Sequence, residues 1–176
     1  TAQITGGVGP RLRAVRDAVG VGALQNRVVI VQGQPREERR NWDHSANASG
    51  LAQALAGTCA ALQDVVRAAP GAGQGWRLWP LSDRPPLRSA AQMAQGLVAL
   101  LGDAAHPMRP YLAQGAGMAI EDAAELQHAM AMHDLEVPLR LRRHALNRWE
   151  RNALVQARSQ RNGRIFHATG LVRRGR

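Results

Sequence analysis

Lysine is missing altogether: all 23 basic residues of this 176-residue chain are arginines, set against 13 acidic residues. The resulting formal charge of +10 invites an anionic partner such as nucleic acid. An Ala-, Arg- and Gly-rich chain without lysine is also the ordinary product of GC-rich coding, and net charge bears on association rather than fold. Aromatic residues make up only 3% of the chain, so the stacking platforms of single-strand nucleic-acid binders are scarce. The core must be built mainly from Ala, Val and Leu, which pack tightly but gain less per residue than larger side chains. Cys59 is the sole cysteine, which excludes a disulfide within the chain and any cysteine cluster for zinc or iron–sulfur. Its neighbours Thr58, Ala60, Ala61 and Leu62 suggest a buried thiol. No apolar run approaches the roughly 18 residues that a membrane-spanning helix requires, and the first residues lack the basic and apolar regions of a signal peptide. No membrane partner is expected, and a cytoplasmic protein is the default.

Other chemistry is absent as well. No Gly-x-Ser-x-Gly turn occurs, so acyl transfer has no support. Glu125 and His128 form one Glu-x-x-His pair, whereas a di-iron carboxylate site needs two such pairs and two further glutamates. No metal site is expected. His128 and His133 read as surface residues near a helix end, and Glu121, Asp122 and Glu125 as acids nearer its start, where the dipole favours them.

What is present suits one domain of ordinary size. Thr1 to Val21 is ambiguous, with Arg11 to Val19 readable as a short helix. Gly7-Val8-Gly9 lacks the third glycine of a dinucleotide fingerprint, so it is set aside. Asn26 to Gln32 is the clearest strand, and Gly33 to Asn47 reads as a loop in which Trp42 packs over a sheet edge. Gly50 to Ala69 places Leu51, Leu55, Leu62, Val65 and Val66 at helical spacing, and Pro70-Gly71 ends that helix. Trp76 to Leu81 reads as a strand before the Asp83-Arg84-Pro85-Pro86 turn. Val137 to Asn162 is a long helix whose expected buried positions are Leu139, Leu146, Trp149, Leu154 and Val155. From Glu136 onward 11 arginines face two acids, which reads as a solvated helix with local ion pairs.

The stretch from Gly96 to Leu126 organises the rest. Leu97 to Leu101 is a short apolar run, as expected of a strand buried on both faces, and Gly102-Asp103 ends it. Asp103 then stands at a strand's carboxyl end, where open α/β sheets bind ligands and a carboxylate can accept hydrogen bonds from a ligand hydroxyl. After a loop with His106, Pro107 and Pro110, Gly115-Ala116-Gly117 starts a helix. Its first turn offers unpaired N–H groups and the positive end of the helix dipole. A carboxylate for a polyol chain and a helix start for an anionic ring make a flavin site.

The motif Gly102-Asp103-Ala104-Ala105-His106-Pro107, then Pro110, then Gln114-Gly115-Ala116-Gly117-Met118-Ala119-Ile120-Glu121-Asp122-Ala123, resembles the second flavin-binding motif of the FAD-dependent aromatic hydroxylases of the salicylate and hydroxybenzoate hydroxylase type. Trp76 to Leu81, Asp83 to Leu87 and Arg161 to His167 extend the resemblance, which covers about Gly22 to His167. It implies an α/β (α+β) chain. The implied chain is a fragment of a Rossmann-like FAD/NAD(P)-binding monooxygenase fold with part of the substrate sheet and the C-terminal helices. The division expected is 1–21 as an uncertain N-terminal segment, 22–95 as a partial substrate-sheet domain, and 96–176 as the C-terminal part of the FAD-binding domain with terminal helices.

The implied activity is NAD(P)H-dependent insertion of one atom of dioxygen into a small aromatic substrate, with association into a homo-oligomer compatible with it. Gly102, Asp103, Pro107, Gly115, Ala116, Gly117 and Met118 are the implied FAD-binding residues. Pro110 and Arg109 are the implied substrate contacts, Trp76 and Trp79 line a pocket or pack in the core, and His106 braces the loop. No protein side chain need act as catalytic acid or base, because the cofactor carries the chemistry. The Gly-rich βαβ unit that holds the ADP part of FAD in this family has no counterpart here, so the chain alone is expected to be inactive. The alternative is a basic, non-enzymatic binding module for nucleic acid or a protein partner on a remnant of this scaffold.

Overall fold

The computed structural model describes residues 5–9, 12–19, 24–33, 44–45, 48–68 and 77–168. Expectations for Trp42, Trp76 and Pro70-Gly71 lie outside them. The chain divides into two compact units, Thr1–Pro80 with Phe166–Arg176, and Leu81–Ile165. Among the described residues no helix is long and apolar enough to cross a membrane.

The first unit is built on a three-stranded antiparallel sheet of β1 (Thr5–Gly9), β2 (Leu12–Val19) and β3 (Leu24–Val31), in that order. Arg11 to Val19 is therefore not a helix. Leu12 and Ala14 are buried and Arg13 and Val15 less so, the period of two that a half-covered strand shows. Pairing with β1 on one side and β3 on the other satisfies the backbone, for example through Leu12 with Val31 and Ala14 with Val29. On the covered face, Leu12 and Val29 pack with Leu51, Leu55 and Leu62. A short pair, β4 (His44–Ser45) with β5 (Arg77–Leu78), reduces the expected Trp76 to Leu81 strand to two residues. Trp79 is 51% exposed and lies in no core.

The expected helix from Gly50 to Ala69 is two helices, α1 (Ala48–Ala54) and α2 (Ala60–Arg67). Gly57 takes the left-handed φ of 82° that ends a helix, and Thr58 donates from Oγ1 to the Leu55 carbonyl at 2.7 Å, satisfying a terminal acceptor. Leucines at helical spacing cannot reveal such a break. It also turns Cys59 outward, so the thiol is exposed rather than buried.

The second unit begins with α3 (Ala90–Met93) and a hairpin of β6 (Ala94–Gln95) and β7 (Val98–Ala99). The run Leu97 to Leu101 is thus not a five-residue strand buried on both faces. Gly96, at φ 58°, turns the chain back on itself, leaving Leu97 74% and Val98 65% exposed. A 3-10 turn at Gly102–Ala104 and an irregular loop lead to α4 (Gly115–Met130), and α5 (Val137–Phe166) closes the unit. Its small apolar core joins Leu87, Met93, Ala105 and Ala145, flanked by Ala90, Leu100 and Trp149.

Helix α5 turns a largely polar face inward. Leu139, Leu146 and Leu154 are 48%, 53% and 52% exposed, so three of the five positions expected to be buried are not, while Arg148, Asn152, Gln156 and Ser159 are buried with Leu141, His144, Ala145, Val155 and Gly163. The reason lies in what α5 packs against. The loop before α4 has no ladder or helix to satisfy its carbonyls, and buried backbone acceptors must find donors. The inner face of α5 supplies them.

Candidate functional site

The turn and loop from Gly102 to Gln114 carry most of the residues singled out in the sequence, and they are held from three sides. Gly102 adopts φ 52°, and a Cβ there would stand 3.3 Å from the Ala119 Cβ, so glycine fits both the dihedral and the close approach of α4. The turn closes on itself through Ala105 N to Gly102 O at 2.9 Å and His106 N to the same oxygen at 2.8 Å. Arg84 donates from Nη2 to the carbonyls of Ala104 and Ala105, both at 2.7 Å. From α5, Gln156 Nε2 donates to the carbonyls of Pro107 at 2.9 Å and Arg84 at 2.7 Å, Ser159 Oγ to Arg109 at 2.6 Å, and Asn162 Nδ2 to Tyr111 at 3.4 Å. Each such bond contributes roughly 0.5–1.5 kcal/mol net, and leaving a buried carbonyl without one costs about 1–3 kcal/mol.

Asp122 lies at the centre. It is not an acid of the helix start but a fully buried carboxylate eight residues into α4. Its Oδ2 accepts from Gly102 N at 3.1 Å and His106 Nε2 at 2.7 Å, and its Oδ1 accepts from Arg148 Nε at 2.8 Å and Asn152 Nδ2 at 3.0 Å. Burial pushes its pKa up, but the hydrogen bonds from His106, Arg148, Asn152 and Gly102 outweigh it and hold the carboxyl well below the usual range. His106, fully buried, braces the loop against α4 through this contact. Arg148 also reaches Glu121 at 2.8 Å. Glu121 is held down to about 2, chiefly by its hydrogen bond to Arg151, against a desolvation cost and with further help from Arg148. Arg148 is therefore a buried partner of two carboxylates, not a member of a solvated arginine face.

The sequence-predicted residues divide by exposure. Asp103, Pro110, Ala116 and Gly117 are exposed, Pro107, Arg109 and Gly115 are half-buried, and Gly102 and Met118 are buried. Met118 directs its side chain into the interior and donates its N–H to the Gln114 carbonyl at 2.9 Å, so it presents no group to a ligand. Gly102 acts through the backbone shape it allows. Arg109 forms a bidentate pair with Asp83, at 2.9 and 3.3 Å. No side-chain hydrogen bond caps the start of α4, so the N–H groups of Gly115, Ala116 and Gly117 have no intrahelical partner. A Cβ added at Gly115 would meet nothing within 4 Å, and one at Gly117 only the Gln114 side chain at 4.0 Å. A flat ligand edge can therefore reach these donors.

Sequence reasoning overlooked Asp122, Arg148, Asn152, Gln156 and Ser159. Their spacing was the available signal: 148, 152, 156, 159 and 163 repeat at helical period, marking a polar and small-residue face.

The turn that bears the exposed Asp103 thus packs on α4 at Ala119 and Asp122, in the helix whose first turn has no side-chain cap. The FAD binding domain family matches residues 11–136, and the chain belongs to that family. It is 32% identical over 169 residues to 3-hydroxybenzoate 6-hydroxylase 2 of Aquipseudomonas alcaligenes, covering 94% of this chain and 49% of that protein. With 6-hydroxynicotinate 3-monooxygenase of Bordetella bronchiseptica it shares 35% identity over 148 residues, 81% of this chain and 36% of the relative. The chain thus spans about half the length of the first of these relatives and about a third of the second. Among solved structures, Klebsiella pneumoniae HpxO complexed with FAD and uric acid matches with a TM-score of 0.74 at 22% identity, over 98% of this chain and 42% of that one. CtdE in complex with FAD and a substrate matches at 0.76 and 18% identity, over 95% and 40%. At these identities the two structures bear on the fold alone, a mixed helix and strand arrangement shared with part of each FAD-bound chain.

Proposed function

We propose that this chain forms the flavin-facing half of an FAD-dependent monooxygenase that consumes NAD(P)H and dioxygen to hydroxylate a single-ring aromatic acid. The observation that carries the reading is the exposed Asp103 together with the uncapped start of α4, on a loop whose carbonyls are hydrogen-bonded by α5. FAD, when bound, supplies the oxygen-activating chemistry. The chain's own residues bind and orient. The Asp103 carboxylate accepts a hydrogen bond from a ribityl hydroxyl, which makes it a charge-assisted contact. The N–H groups of Ala116 and Gly117 donate to the pyrimidine edge of the ring, where the dipole of α4 favours negative charge. Gly102 and Pro107 shape the loop backbone around these contacts.

On the substrate side, the exposed Pro110 lies where the resemblance puts a carbonyl near the substrate hydroxyl. Arg109 is already paired with Asp83, so a substrate carboxylate reaches it only by sharing the guanidinium. The named relatives act on hydroxybenzoate and hydroxynicotinate, which supports a small aromatic acid as the substrate class. The test is to incubate the full-length, FAD-loaded protein with hydroxylated benzoates, NADH or NADPH and labelled dioxygen. One labelled oxygen atom per product, with matched NAD(P)H consumption, is expected. FAD-loaded protein that oxidises NAD(P)H with none of these acids stimulating it would overturn the substrate class.

A further inference from the structure

We propose that Asp122 is the positioning residue of the flavin loop: its buried carboxylate locks the turn that carries Asp103 to the helix whose start faces the ring. The inference rests on the reading of Asp103 and α4 given above.

The geometry is specific. Asp122 Oδ2 holds Gly102, the residue immediately before Asp103, by its N–H at 3.1 Å, and His106, three residues after Asp103, by Nε2 at 2.7 Å. Asp103 is thus flanked on both sides by points tied to one oxygen atom. The same carboxylate sits on α4 seven residues after Gly115 and fixes the turn to the helix that supplies the N–H groups. Its other oxygen takes Arg148 and Asn152, at 2.8 and 3.0 Å, which joins α5 to the same point. The turn bearing Asp103, the helix α4 and the helix α5 are thus joined at one carboxylate.

Asp122 is not itself a ligand contact, being wholly buried. Its effect on FAD must travel through the turn. A carboxylate accepting four donors has no neutral equivalent, because an amide offers one acceptor oxygen and turns an NH2 donor toward two of the four. With the proton on His106 Nε2, as its carboxylate partner requires, a glutamine at 106 could still donate to Asp122 whereas an alanine could not.

The experiment measures FAD affinity and the visible circular dichroism of the bound flavin in the full-length protein and in Asp122→Asn, His106→Ala, His106→Gln and Asp103→Ala. A purely structural role for Asp122 would lower stability without altering the flavin spectrum. The inference expects Asp122→Asn and His106→Ala to weaken FAD by about 10- to 100-fold, the range known for hydrogen-bond partners that orient metal ligands, with an altered dichroism band. His106→Gln should recover most of the loss. Wild-type affinity and spectrum in His106→Ala and Asp122→Asn, with Asp103→Ala weakened, would overturn the inference alone. Unchanged affinity in Asp103→Ala would instead overturn the reading beneath it. If Asp122→Asn does not fold, the alanine and glutamine pair at His106 decides.

Discussion

Replacing Arg148 by methionine removes the cation from the centre of the second unit while keeping most of its length. Four contacts go: Nε to Asp122 at 2.8 Å, Nη1 to Glu121 at 2.8 Å, and Nη2 to Asn152 Oδ1 at 3.1 Å and to the Met118 carbonyl at 3.5 Å. They are not of equal weight. Glu121 is 38% exposed and keeps its two bonds to Arg151, so its loss is small. Asp122 is fully buried and would stand as an ion without its cationic partner, a change that costs about 3–5 kcal/mol in buried pairs. Because His106, Asn152 and Gly102 still donate to it, the lower end, about 3 kcal/mol, is expected. With a urea slope of about 2 kcal/mol per molar, the unfolding midpoint should fall by roughly 1.5 M. The pH dependence has a definite sign. Asp122 has a folded pKa depressed below the ordinary 3.8, so its contribution is present above 3.8 and lost as pH falls through the lower folded value. Without Arg148 the folded pKa moves up toward 3.8, so the window narrows and less stability is lost on acidification. Equilibrium urea unfolding at pH 7 and at about pH 3, inside that window, reads both effects. A midpoint within about 0.3 M of the parent at pH 7, or about 0.6 kcal/mol at that slope, would refute the assignment of Asp122 and Arg148 as a stabilising buried pair.

Three further outcomes follow from the same packing. Gly163→Ala would bring a Cβ to 2.5 and 2.7 Å from the Tyr111 ring; the overpacking penalty of about 1–3 kcal/mol exceeds most of the roughly 1 kcal/mol that alanine gains in a helix, so the thermal midpoint should fall. His144 is fully buried and desolvation, partly offset by the Asp122 charge, lowers its pKa below 6.5; stability present above 6.5 should be lost as pH falls through the depressed value, and His144→Leu should flatten that part of a pH–stability curve. Gly117→Leu should leave the helix content of α4 unchanged by circular dichroism, since leucine favours helix over glycine, while obstructing the ring's approach and lowering the flavin content of the purified full-length protein.

The elements around the site were legible where a residue type admits one main use. Gly115 opens a helix and Gly102 ends an apolar run because glycine allows what other residues do not, and the order turn, loop, helix followed from that. The long C-terminal helix was legible in extent but not in orientation. Its leucines suggested an apolar inner face, whereas the demand came from the carbonyls of Pro107, Arg109 and Tyr111, which no reading of α5 by itself can count. Asp122 was misread for a related reason: an acid in the first half of a helix fits the dipole rule, and only the fold brings Gly102, His106, Arg148 and Asn152 around it. Leu97 to Leu101 shows the opposite limit. An apolar run states that burial would be favourable, but pairing through Gly96 decided which residues joined a strand. Arg109 was read as a substrate contact, and its partner Asp83 lies 26 residues earlier, beyond the reach of a local pattern.

The central claim is that Asp103 and the start of α4 hold the flavin half of FAD, and titration of apoprotein with FAD in the full-length protein and its Asp103→Ala variant tests it most directly. Loss of a charge-assisted hydrogen bond worth roughly 1.5–3 kcal/mol predicts an affinity weaker by about one to two decades, with the fold unchanged because Asp103 is exposed. An Asp103→Ala protein that binds FAD as tightly as the parent would contradict it.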